Sequence, residues 1–269
     1  MPGPPPGYEL EFEDTFDGDA LDTSRWLPYY LSHWSSRART AARYRLGDGC
    51  LRLLIEHGQE PWSREFDGEI KVSCLQTGAY SGPLGSSIGQ NPFRPDLVVR
   101  EEQENVRLYT PQYGRVETRL QALADPRNMV ALWMGGYADR PERSGEILVC
   151  EIFGRDVGDG EAGVGMGIRR FDDPLLVDDV VVERLPIDVR EFHVYAVDWT
   201  PDQVSWSVDG EHVKTIRQSP AYPLQLWLGI YEFPPDDGAP PDDPGAYPKE
   251  FVVDYVRGYR RSADVLPSS

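Results

Sequence analysis

The sequence predicts an all-β fold, a sandwich of two antiparallel sheets, and three observations carry that reading. No stretch of twelve or more residues keeps the 3.6-residue apolar period of an amphipathic helix; short alternating or wholly apolar runs recur instead. The 24 prolines and 26 glycines spread through 269 residues punctuate the chain with turns, which suits short strands. Strand-like runs follow one another directly, without the intervening helical patterns that parallel sheets require.

The elements follow in order. From Tyr8 to Phe16 the side chains alternate, Leu10 and Phe12 against Glu9, Glu11 and Glu13, as in a half-buried strand. Strands are expected next at Cys50 to Ile55 and Glu69 to Val72, and a Gly-, Ser- and Pro-rich loop runs from Gly78 to Asn91. Further strands are expected at Tyr113 to Leu120, Met129 to Trp133, Glu146 to Phe153 and Phe192 to Trp199. Val204 to Val208 and His212 to Ile216 flank Asp209-Gly210, a pair that supplies the positive φ angles of a type I′ hairpin. Leu224 to Ile230 and Phe251 to Val256 complete the set, separated by a Pro- and Asp-rich surface loop or lid from Pro234 to Pro248. With no internal repeat and no linker, residues 8–262 read as one domain, after a Pro-rich lead-in at 1–7 and before a tail at 263–269.

Charge and composition narrow the partners. A net charge of −18, from 27 basic and 45 acidic residues, argues against nucleic acid and against anionic membrane, and leaves neutral ligands open. No run of about 18 apolar residues exists to span a bilayer. Three cysteines, Cys50, Cys74 and Cys150, are odd in number and scattered, so no disulfide framework is expected. The N-terminus has neither a basic nor an apolar signal region, which implies a cytoplasmic monomer as written, or a secreted one if a leader has been removed.

The most informative segment is Ser144 to Gly154, where Glu146 and Glu151 interrupt an apolar strand of Ile147, Leu148, Val149, Cys150 and Ile152. Residues five apart on a regular strand face opposite sides, and a single β-bulge returns both to one side. Their Cα atoms would then stand roughly 13 Å apart, and side chains leaning inward bring the carboxyls to about 5 Å. That matches the roughly 5–5.5 Å at which retaining glycosidases hold a nucleophile and a proton donor. Apolar flanks desolvate such carboxyls and raise their pKa values, as a general acid needs.

The same segment resembles the bulged active-site strand of glycoside hydrolase family 16, Glu-x-Asp-x-x-Glu, in its laminarinase-like form. Collinear pieces support the resemblance: Phe12 to Gly18, Leu21 to Trp26, Tyr113 to Arg119, Ala131 to Met134, Phe192 to Asp202 running into Val208-Asp209-Gly210, and Val253 to Arg257. It implies a concanavalin-like β-jelly roll with a carbohydrate groove across one sheet. It also implies a retaining endo-β-glucanase-like hydrolase or transglycosylase, with Glu146 as nucleophile and Glu151 as acid/base. Trp133 matches a tryptophan of the substrate cleft. His33, Trp34, Arg119, Arg169 and Phe233 join it as expected substrate-binding residues. No cofactor is expected, although some members carry a structural Ca²⁺ that Asp254 would ligate here.

Two departures stand out. Leu148 occupies the place of the family's central Asp, which removes a charge and dries the site, and the desolvation pushes both glutamates' pKa values up. The neighbouring segment Val164 to Arg170 lacks the family's histidine, and Arg169 or Arg170 offers a cation in its place. Two alternatives follow: a carbohydrate-binding protein that has lost the chemistry, or an intracellular enzyme acting on a different small-molecule glycoside.

Overall fold

The computed structural model describes residues 3–236, 238 and 243–262. Among them the strands are β1 (Tyr8–Asp14), β2 (Tyr44–Gly47), β3 (Cys50–Ile55), β4 (Lys71–Gln76), β5 (Gly78–Ala79) and β6 (Val106–Arg107). There follow β7 (Gly114–Gln121), β8 (Asn128–Gly136), β9 (Glu146–Phe153), β10 (Ala162–Arg169) and β11 (Asp179–Leu185). The chain ends through β12 (His193–Trp199), β13 (Val204–Val208), β14 (Glu211–Ile216), β15 (Leu224–Glu232) and β16 (Lys249–Arg261). The α-helices α1 (Arg37–Thr40) and α2 (Arg64–Asp67) are single turns, as the missing helical period implies.

Two antiparallel sheets make the expected jelly-roll sandwich. The outer sheet runs β14-β13-β12-β7-β16-β3-β2, with β1 also on β16; the inner sheet runs β11-β10-β9-β8-β15-β4. Alternation decides what fills the space between them. Val116, Leu120, Tyr195, Val197 and Trp206 point inward from the outer sheet, against Val130, Leu132, Ile147, Ile152, Leu226 and Leu228 from the inner one. Each such side chain contributes about 1.5–3 kcal/mol on burial, so this core holds the fold together. The other face of the inner sheet is covered differently. There Trp133, Trp227 and Tyr231 pack against Tyr30, Trp34, Trp62 and Phe66 from the long connections, which wall a groove.

Asp209 (φ 51°) and Gly210 (φ 84°) form the expected tight hairpin between β13 and β14. The expected Gly78 to Asn91 loop is irregular apart from the two residues of β5. Five strands escaped the pattern reading, of which β5 and β6 are two residues each. β2 is short and largely exposed, β10 places a glycine at every second position, and β11 is an edge strand whose Val180, Val181 and Val182 are all partly exposed. β16 also runs well past the expected Phe251 to Val256, because its two halves pair with different partners, β3 early and β1 late.

Residues 1–2 of the lead-in, the 263–269 tail, and positions 237 and 239–242 of the expected loop or lid lie outside the described residues. No helix among the described residues is long and apolar enough to cross a membrane.

Candidate active site

β9 lies in the inner sheet between β8 and β10, and its register shows the kink. Glu146 stands opposite Gly135 and Leu148 opposite Trp133, but the next pair is Cys150 with Leu132, leaving Val149 as the extra residue. The same shift appears toward β10, where Arg169 faces Glu146 and Gly165 faces Glu151. Ile147, Val149, Cys150 and Ile152 all enter the core, whereas Leu148 joins the groove cluster. Glu146 and Glu151 therefore share the groove face. The bulge expected from the five-residue spacing is present, and Leu148 stands between the two acids on the groove side.

One guanidinium joins the two acids. Arg169 Nη1 lies 3.4 Å from Glu146 Oε1, and Nη2 lies 3.4 Å from both carboxylate oxygens of Glu151. These contacts exceed the roughly 2.7–3.2 Å of a well-formed N–H···O bond, so the bridge is loose and mainly electrostatic. Its reach follows from the β10 sequence. Groove-facing Gly167 and Gly165 carry no side chain, which clears a path from the level of Glu146 to that of Glu151. A Cβ at Gly165 would meet the Glu151 Cβ and carbonyl oxygen at 3.2 Å each. Beyond Arg169 the groove opens into a hollow of about 540 Å³ lined by Arg169, Arg170, Phe171, Asp178 and Val180.

Burial dominates the electrostatics. The side chains of Glu146 and Glu151 are 3% and 10% exposed, against 37% for Arg169. Glu146 is pushed up to about 7, chiefly by loss of solvent; Arg169 pulls it down and the charge of Glu151 pushes it further up. Glu151 is also raised by burial, against the opposing pull of Arg169 and of the Trp133 indole N–H. That N–H is buried without a full hydrogen-bond partner, so it faces the acid without satisfying it. Burial thus raises both carboxyls while Arg169 draws both back down.

Around the acids the floor is aromatic. Trp133 lies 5.2 Å from Tyr231, which meets Tyr30 edge-on at 5.5 Å. Trp227 covers Gly135, opposite Glu146. Phe233 is half-buried against the same aromatic cluster and stacks at 5.8 Å on Phe153, which stands two residues past Glu151. Tyr30, Trp227 and Phe153 were not singled out from the sequence. Phase alone would have found Phe153, which stands two residues beyond Glu151 on the same face.

Other expected site residues are turned to other partners. His33 and Trp34 are 1% and 0% exposed, and both ring nitrogens meet the Gln90 carbonyl oxygen, His33 Nε2 and Trp34 Nε1 each at 3.1 Å. Burial lowers His33 to about 3, so it is a neutral anchor for the long loop and offers no face to a sugar. Arg119 projects from β7 on the solvent side of the outer sheet, stacked over Phe192 and paired with Asp254. It is on the wrong sheet for the groove. Asp254, the residue at a register slip in β16, is taken by that guanidinium, and no group of three His, Cys, Asp or Glu among the described residues is placed to hold a metal.

Comparison with known proteins identifies relatives of the chain. Residues 108–235 match the model of glycosyl hydrolases family 16. The chain is 30% identical to a beta-glucanase of Rhodothermus marinus, over 95% of this chain and 86% of that protein. It is 24% identical to glucan endo-1,3-beta-glucosidase A1 of Niallia circulans, over 94% of this chain but only 38% of that protein's length. Among solved structures, a GlcNAcα1-4Gal-releasing endo-β-galactosidase from Clostridium perfringens superimposes with a TM-score of 0.83 at 27% identity, covering 98% of this chain and 65% of that one. With a family-model match and a relative 30% identical over most of both chains, the chain belongs to glycosyl hydrolases family 16.

Proposed function

We propose that the protein is a retaining endo-acting β-glycosidase or transglycosylase. The observation that carries this reading is the single guanidinium spanning Glu146 and Glu151, which makes the two carboxyls neighbours on one face of a kinked strand. Glu146, the deeper acid, attacks the anomeric carbon as its carboxylate. Glu151 donates its proton to the departing glycosidic oxygen, and the covalent glycosyl ester forms as that C–O bond breaks. Glu151, now a base, takes a proton from water or a second sugar hydroxyl, whose oxygen displaces Glu146 with overall retention. Arg169 does part of the work of the missing aspartate: it favours the anionic form of Glu146 and is exposed enough to swing aside for a sugar. Trp133 supplies a flat face for a pyranose at the acids, with Phe233 and Phe153 further along. Both acids and the arginine come from one chain, so a monomer suffices.

The substrate is a β-linked glycan. The glucanase relatives favour β-1,3- or mixed-linkage glucose chains, and the 0.83 TM-score to the endo-β-galactosidase favours an internal β-galactosyl bond. A panel of both glycans, with products read by proton NMR at the anomeric carbon, decides between them and tests retention. Glu146→Gln should abolish turnover and leave the fold intact; unchanged activity in that variant would end the assignment.

A second reading, a lectin-like protein on the same fold, is favoured by Leu148 and by the near-complete burial of Glu146. It predicts oligosaccharide binding by calorimetry with no product on long incubation.

A further inference from the structure

Behind the kink in β9, on the core side, the outer sheet reaches across the sandwich. The Trp206 indole Nε1 on β13 donates to the Leu148 carbonyl oxygen at 2.6 Å, and the Trp206 side chain is wholly buried. In an unbroken antiparallel strand a carbonyl lies in the sheet plane and is taken by the neighbouring strand. A bulge disrupts that ladder locally, and here the Leu148 oxygen is met by a donor from the opposite sheet. The indole is itself anchored. Lys214 on β14 lies 5.9 Å from its ring centroid, and the same ammonium stands 3.7 Å from Asp179 and 4.0 Å from Glu183 on β11. The core behind the bulge is otherwise apolar apart from the Cys150 thiol and the unpartnered Tyr195 hydroxyl, so few other groups there can donate to a carbonyl.

We propose that Trp206 is a positioning residue of the active site: its N–H fixes the Leu148 peptide and so sets the relative rotation of Glu146 and Glu151 on either side of the bulge. This rests on the glycosidase reading of the two acids. The consequence is that the outer sheet, which no substrate touches, controls the spacing of the acids and their titration. Loss of the donor lets the peptide rotate, moves one carboxyl relative to the other and to Arg169, and changes both turnover and titration. Ground-state binding, made by the aromatic floor, is left nearly as it was.

Trp206→Phe is compared with Trp199→Phe. Trp199 is an equally buried indole of the outer sheet whose Nε1 donates to Ser219 Oγ at 2.7 Å, away from β9. Each variant loses one indole hydrogen bond, buried at 206 and part-buried at 199; only the first touches the bulge. Trp206→Phe is expected to lower kcat roughly 10- to 100-fold with KM within about twofold, the size of effect that small misplacements of catalytic groups produce. It should also move the carboxyl ¹³C titration of the Glu146–Glu151 pair by about half a pH unit or more. Trp199→Phe should do neither. Should Trp206→Phe fail to fold, a benzothiophene analogue of tryptophan at 206 keeps the ring shape and removes only the N–H. Equal kcat and superimposable titrations in the 206 and 199 variants would overturn the proposal. The titration needs no turnover, so a protein inactive on every glycoside would sink the glycosidase reading and leave the positioning of the acids still measurable.

Discussion

Both sheets of the sandwich pair arginine with carboxylate, and the two settings give these pairs different consequences. On the outer sheet Arg119 meets Asp254 with 39% and 31% of the side chains exposed, and Arg260 meets Glu9 with 65% and 48% exposed. Water screens such pairs, and each contributes about 0–1 kcal/mol. On the inner sheet Arg169 is similarly exposed, but its partners Glu146 and Glu151 are sunk beneath an aromatic wall, and burial raises the pKa of both. A carboxylate becomes chemically useful here through the depth of the hollow it occupies. The pairing itself is common to both sheets.

Four substitutions sharpen or break that contrast, taken from the largest expected effect. Glu146→Gln should lower kcat by at least about 10⁴-fold, as loss of a nucleophile does in a tightly coupled site. It should also stabilise the protein in one direction of pH only. Glu146 titrates at about 7 in the fold against 4.5 when free, so its ionisation opposes folding. That penalty is absent below the free value, grows as pH rises, and is complete above the folded one. Denaturant melts should therefore show a gain of about 3 kcal/mol at pH 8 and none at pH 4. No gain at pH 8 would mean the carboxyl is not buried as described.

Arg169→Leu removes the cation that opposes desolvation, so both acids titrate higher. The acid limb of kcat/KM should move to higher pH, with about a 10- to 100-fold loss near neutrality, and the pH–rate profile checks it. An unshifted limb would show that Arg169 is a bystander. Leu148→Asp places a third carboxyl between the acids. Like charge raises its neighbours' pKa, so the alkaline limb should move up by about one unit, and burial of the new group should destabilise the fold by about 1–3 kcal/mol. The smallest effect belongs to the outer sheet. Arg119→Ala should leave turnover unchanged and alter stability by at most about 1 kcal/mol, measured by thermal melts and rate assays in parallel.

Much of this was legible without coordinates because period and turn chemistry are local. Cys50–Ile55, Glu146–Phe153 and Val204–Val208 form strands at the bounds their patterns implied, and Asp209-Gly210 turns as its φ preferences demand. β10 was harder to read, because Gly163, Gly165 and Gly167 look like turn residues until a neighbour needs the space above them. His33, Trp34 and Arg119 were hard to read for a related reason: a residue type that suits sugar binding suits a buried loop anchor or a surface ion pair equally well. Which of these it becomes depends on what packs over it.

The chain's order of residues by itself determined that strands would form, where most of them would lie, and that a five-residue offset between two acids demands a kink to bring them to one side. Only the folded molecule decided which arginine reaches those acids, how deeply each is buried, and which indole from the far sheet holds the peptide between them. The first set follows from interactions between near neighbours along the chain. The second depends on contacts between segments tens of residues apart, such as Arg169 with Glu146 and Trp206 with Leu148, and local pattern carries no information about those.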